Sequence, residues 1–77
     1  MKIITTKIIL MKNILGGYSA HYKEEKLHKF ADNIEQVIYH GDISTRVDKN
    51  IIICPMTQNH LEVEYIEKAK RLVVSTY

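Results

Sequence analysis

Asn50-Ile51-Ile52-Ile53-Cys54-Pro55 is the stretch on which the fold turns. It is an unbroken run of branched apolar residues, too short for a helix and stopped by the only proline in the chain. A strand with one wet face alternates polar and apolar residues, so this run reads as a strand buried on both faces. Two similar runs, Ile8-Ile9-Leu10-Met11 and Leu72-Val73-Val74, lie near the two ends of the sequence.

Working outward, residues 2–11 form a first candidate strand whose buried part is 8–11. Gly16 and Gly17 then permit a tight turn, and Ser19 stands where a helix N-cap would. From Ala20 to about Ile34, Tyr22, Leu27, Phe30, Ala31 and Ile34 fall on one side of a helix and the charged residues on the other. Residues 35–40 read as a second strand, and 43–49 as a polar connection. After the central run, Asn59 and Glu62 are spaced as in a capping box that opens a helix over His60–Arg71. Its acids Glu62, Glu64 and Glu67 come early and its bases Lys68, Lys70 and Arg71 late, as the helix dipole favours. A last strand runs from Leu72 to about Thr76.

The order is therefore strand, helix, strand, strand, helix, strand. Because the apolar runs do not alternate, the pattern predicts an α/β domain: a small four-stranded parallel sheet with helices on both faces. A ferredoxin-like α+β sheet with both helices on one face is the alternative. At 77 residues the chain is one domain, spanning 1–77, near the lower limit for a single core, where roughly 60 to 65% of the unfolded surface is hidden.

The composition, 45% hydrophobic and 26% charged, is that of a folded protein. A net charge of +2 with interleaved signs supports nucleic-acid binding only weakly. One cysteine, Cys54, rules out an internal disulfide and points to a reducing, intracellular compartment, nuclear in a eukaryote and otherwise cytoplasmic. No run approaches the roughly 20 apolar residues of a membrane span, and the N-terminus lacks the apolar core of a signal peptide.

Three sets of residues carry a family resemblance: Tyr22–Ile34 as a first helix, Val47-Asp48-Lys49-Asn50-Ile51-Ile52-Ile53, and Glu67-Lys68-Ala69-Lys70-Arg71-Leu72-Val73-Val74-Ser75. Over about Lys7–Tyr77 the chain resembles a BRCT domain, the protein- and phosphopeptide-binding module of DNA-repair and replication proteins. The family's paired glycines after the first helix and its Thr-His pair are absent, and its tryptophan would fall just past Tyr77. This is the pattern of a truncated or degenerate copy. The resemblance implies a non-enzymatic interaction module with a protein or phosphopeptide partner, the phosphate held near Gly16, Gly17 and Ser19. The runner-up is a small free-standing ferredoxin-like regulator or inhibitor of phage or viral type, acting as a homodimer, on a protein or on nucleic acid.

An enzyme is not expected, since the chain has no phosphate loop and no nucleophile beside a base. The histidines His21, His28, His40 and His60 show no zinc-ligand spacing, so neither a metal nor a cofactor is expected. Cys54 reads as a buried thiol, and Lys23, Lys26 and Lys29 as a solvated face.

Overall fold

A computed structural model describes all 77 residues. It contains nine strands and no α-helix: β1 (Lys2–Thr5), β2 (Ile8–Lys12), β3 (Tyr18–Lys23), β4 (Leu27–Ile34), β5 (Gln36–His40), β6 (Ile43–Val47), β7 (Ile51–Pro55), β8 (Leu61–Ile66) and β9 (Arg71–Thr76). A single 3-10 turn at Glu67–Ala69 joins β8 to β9. The strands form a four-stranded sheet in the order β1-β8-β9-β5 and a five-stranded sheet in the order β4-β3-β2-β7-β6. All pairs are antiparallel except β5 with β9.

The α/β expectation is therefore overturned, and the ferredoxin-like alternative with it, because both require two helices. The residues that resemble a BRCT domain lie on strands and the turns between them, and the α/β fold which that resemblance implies is not the fold of this chain. The strands expected at 8–11, 35–40, 51–54 and 72–76 are present as β2, β5, β7 and β9. The expected polar connection at 43–49 is largely strand β6.

Ala20–Ile34 is a hairpin instead of a helix, for a specific reason. β4 meets β3 with register shifts between Tyr18 and Ala20 and between Ala20 and His21. Each bulge slips the inward phase of β4 by one residue. As a result Phe30, Ala31 and Ile34 are all buried, a spacing of one and then three that imitates a helical face. In the supposed second helix, Leu61 and Val63 are buried in alternation while Glu62 and Glu64 point outward, so 61–66 is an ordinary half-buried strand.

The same alternation holds in the apolar runs. Ile8 and Leu10 are buried and Ile9 is not; Ile53 is buried and Ile52 is not; Leu72 and Val74 are buried and Val73 is not. The inward residues of both sheets form one core of eleven buried side chains. Outward isoleucines and valines are only half-covered, and an apolar residue on the wet side of a sheet is common enough to break the alternation signal.

The chain crosses between sheets four times, at Thr6-Lys7 between β1 and β2, Glu35 between β4 and β5, Gly41-Asp42 between β5 and β6, and the longer link 56–60 between β7 and β8. Pro55 ends β7, a strand with neighbours on both sides. By the register that pairs Ile8 with Ile53, its nitrogen faces the position of Thr6, where β2 has not yet begun. The missing N–H therefore leaves no ladder carbonyl without a donor.

Candidate functional site

Asn13–Gly17 closes the β2–β3 hairpin. The Asn13 N–H donates to the Gly17 carbonyl at 3.0 Å and the Gly16 N–H donates to the Asn13 carbonyl at 3.2 Å, leaving Ile14, Leu15 and Gly16 as a three-residue loop. Gly16, at φ 103°, takes the positive-φ position that such loops reserve for glycine. Gly17 lies so close to β4 that a Cβ there would meet the Ile34 carbonyl oxygen at 3.0 Å. The turn thus requires its glycines but places no demand on residues 14 and 15. Yet these are Ile14 and Leu15, exposed at 103% and 100%, as fully as in an unfolded chain.

Beneath this tip, the three residues singled out from the sequence do come together, though not at a helix N-terminus. Gly16 and Gly17 are turn residues, and Ser19 is a buried residue of β3. The Ser19 Oγ lies 2.6 Å from Asp32 Oδ1 and 2.8 Å from the Asn13 side-chain oxygen. A hydroxyl has one hydrogen, so it cannot donate to both. The consistent arrangement has Ser19 donating to the Asp32 carboxylate and accepting from the Asn13 amide NH₂, with that amide turned over. Asp32 is also ion-paired with Lys29, and its backbone carbonyl accepts the Tyr65 hydroxyl at 2.8 Å. The Ser19 hydroxyl therefore serves a carboxylate, and a phosphate approaching it would meet that negative charge.

Lys29 first, and Ser19 second, hold the Asp32 carboxyl below its ordinary value of 3.8. Because the folded state resists protonation more than the unfolded chain does, this contribution to stability is complete above 3.8 and is lost as pH falls through the lowered value. In urea denaturation from about pH 6 to about pH 2, the gap in stability between wild type and Asp32→Asn should narrow only in the acid range. A gap that stays constant would show that Asp32 makes no such contribution.

Three clefts meet at Asn33, itself at φ 57° in the left-handed region that asparagine tolerates. One of ≈ 580 Å³ opens between Phe30, Asp32, Tyr65 and Lys70. Another of ≈ 610 Å³ lies under Ile14 and Leu15, against Lys12 and Asp32. The smallest, ≈ 300 Å³, sits between Leu15, Glu35 and Lys70. Their charges are largely matched, Lys29 with Asp32 and Lys70 with Glu35 at 3.5 Å. A region so balanced exerts little long-range pull on a polyanion.

The histidines are dispersed. His21 lies on β3 with its Nδ1 buried and without a hydrogen-bond partner, His28 stacks on Tyr22 at 5.2 Å, His40 ends β5 and His60 precedes β8. No group of three or more His, Cys, Asp or Glu side chains gathers to hold a metal ion. Cys54 is a free, half-buried thiol on β7. Across the five-stranded sheet, Lys29, His21, Ile9, Ile52 and Arg46 stand in register, basic at both rims and aliphatic between. That row holds no Phe, Tyr or Trp on which a base could stack. No helix is long and apolar enough to cross a membrane.

Ile14 and Leu15 went unremarked in the sequence because, between a strand and a helix, such a pair belongs under the helix. The available signal was an Ile-Leu pair directly before Gly-Gly, once both flanks are recognised as strands. Set against known proteins, the chain matches no family model, no curated protein and no solved structure.

Proposed function

We propose that this protein is a non-enzymatic protein-interaction module that inserts the Ile14-Leu15 tip into an apolar pocket of a partner protein. One observation carries the reading: two large aliphatic side chains are fully exposed at a turn whose geometry requires neither. An exposed aliphatic pair on a rigid hairpin costs little ordering entropy on binding and supplies the apolar anchor that protein interfaces use at their centre. The clefts around Asn33 give the partner's rim both a donor and an acceptor side, through Lys70 and Asp32. The balanced charge there suits a protein better than an anionic surface. The lone thiol of Cys54 fits an intracellular setting.

The test compares the wild type with Ile14→Ser/Leu15→Ser. Both side chains are fully exposed, so the double variant should unfold within about 0.5 kcal/mol of wild type. Proteins held by wild type and released by the variant are identified by quantitative mass spectrometry, purified, and measured directly by calorimetry. The expected result is a partner whose affinity falls at least about 30-fold on losing the two side chains. Equal affinity for both proteins would overturn the proposal. A phosphopeptide library titrated in parallel, with amide shifts at Gly16, Gly17 and Ser19 as readout, tests whether that corner takes phosphate instead.

A further inference from the structure

Each sheet has two open edges, and three of the four are guarded in ways that proteins use to prevent strand addition. β4 carries two register irregularities and the left-handed Asn33. β1 has four residues and carries Lys2, ion-paired to Glu62. β5 is held between the Glu35 link and the Gly41 turn, and its alternate residues leave only Val37 and Tyr39 with backbone facing out, since the Gln36 N–H bonds toward β9 at Lys70. β6, with the sequence Ile43-Ser44-Thr45-Arg46-Val47, has no bulge, no proline and no lysine, and is rich in strand-forming residues.

The hydrogen bonds that bracket β6 show which of its groups are free. The Met56 N–H donates to the Asp42 carbonyl at 3.0 Å and the Asp48 N–H donates to the Asn50 carbonyl at 3.5 Å, both in the β6–β7 register. Bonded pairs in an antiparallel ladder recur every second residue, so Ser44 and Arg46 bond to β7. Ile43, Thr45 and Val47 therefore turn their N–H and C=O groups to solvent.

We infer that β6 is a homodimer edge, pairing antiparallel with β6 of a second copy about a two-fold axis at Thr45. That register is self-complementary. Thr45 faces its own symmetry mate, each Ile43 faces the other copy's Val47, and each Ser44 faces the other copy's Arg46, so within β6 no like charges are opposed; only beyond its ends does Asp42 meet the other copy's Asp48, both of them exposed to solvent. All six outward N–H groups find carbonyls, and the two five-stranded sheets become one of ten strands. The pairing also covers Val47. Val47 shares the inner face of its sheet with Ile53, through Thr45, yet is 78% exposed because the four-stranded sheet does not reach it. Ile43 already packs against the core, so the second copy would continue an existing apolar layer across the axis.

Sedimentation of the full chain from about 1 to about 500 μM tests this, over the range in which a small interface associates. The wild type should pass from monomer to dimer, and hydrogen exchange at the Thr45 and Val47 amides should slow with the dimer fraction. Thr45→Pro removes an outward donor without touching the β6–β7 ladder and should weaken dimerisation about 100-fold or more. If Thr45→Pro does not fold, Val47→Lys decides, since its exposed site tolerates the charge in the monomer while the dimer does not. A wild type that stays monomeric throughout, an open-ended polymer, or a dimer undiminished in Val47→Lys would each overturn the proposal.

Discussion

Ile53→Ala is expected to remove about 3 to 4 kcal/mol of stability, the usual cost of emptying a buried aliphatic site, and to leave much of the protein unfolded at physiological temperature. Ile53 is fully buried on β7, with Ile8 beside it on one neighbouring strand and Thr45 on the other. Strands tied on both sides cannot close in on the cavity, so little of the loss is recovered. A chain of this size has roughly 4 to 11 kcal/mol to lose. Only 13 of the 77 residues are buried, so the true figure belongs near the lower bound. Ile52→Ala, one residue away on the half-covered face, should cost about 1 kcal/mol or less. Urea denaturation followed by circular dichroism measures both. Similar losses at the two sites would mean that both faces of β7 are covered, and would sink the two-sheet arrangement described above.

Gly41→Ala is expected to cost about 2 to 3 kcal/mol, although alanine adds one methyl group. Gly41 starts the link from β5 in one sheet to β6 in the other, at φ 89°, a conformation an L-residue adopts only with strain. Its Cβ would also stand 2.1 Å from the Thr76 Oγ1 and 3.3 Å from the Thr76 Cβ. The hydroxyl can rotate away; the Cβ, fixed on β9, cannot. A Thr76→Ala background removes the Oγ1 and Cγ2 contacts, and leaves the backbone strain together with the 3.3 Å approach to the Cβ of residue 76. There the substitution should still cost about 1 to 2 kcal/mol. Complete recovery would show that the turn itself accepts a side chain, and that Gly41 serves only to make room for Thr76.

The candidate site was only partly readable in advance. Gly16 and Gly17 declared a turn, but Ser19, expected to cap a helix there, is a residue of strand β3. What Ser19 does there depended on Asp32, thirteen residues on and brought alongside by the β3–β4 pairing. The β6 edge was not readable, because an edge is a property of strand order: 43–49 differs from a central strand only in having no neighbour on one side.

Of the fold itself, the chain's local chemistry determined where most of the breaks fall. Paired glycines, Gly41-Asp42 and the sole proline mark turns or strand ends because backbone freedom and a missing N–H act within one or two residues. Local chemistry also determined that 8–11, 51–54 and 72–76 are strands, through short runs of branched side chains. Leu61-Glu62-Val63-Glu64-Tyr65 was equally local, a plain alternation that the well-ordered charges around it disguised as a helix. Tertiary structure alone decided the rest. Helix and strand compete within a few tenths of a kcal/mol per residue in a segment such as 27–34, and the outcome goes to whichever form buries Phe30, Ala31 and Ile34. Two bulges against β3 achieve that burial. They exist only once a neighbouring strand is there to be bulged against, which is why no window of sequence shows them.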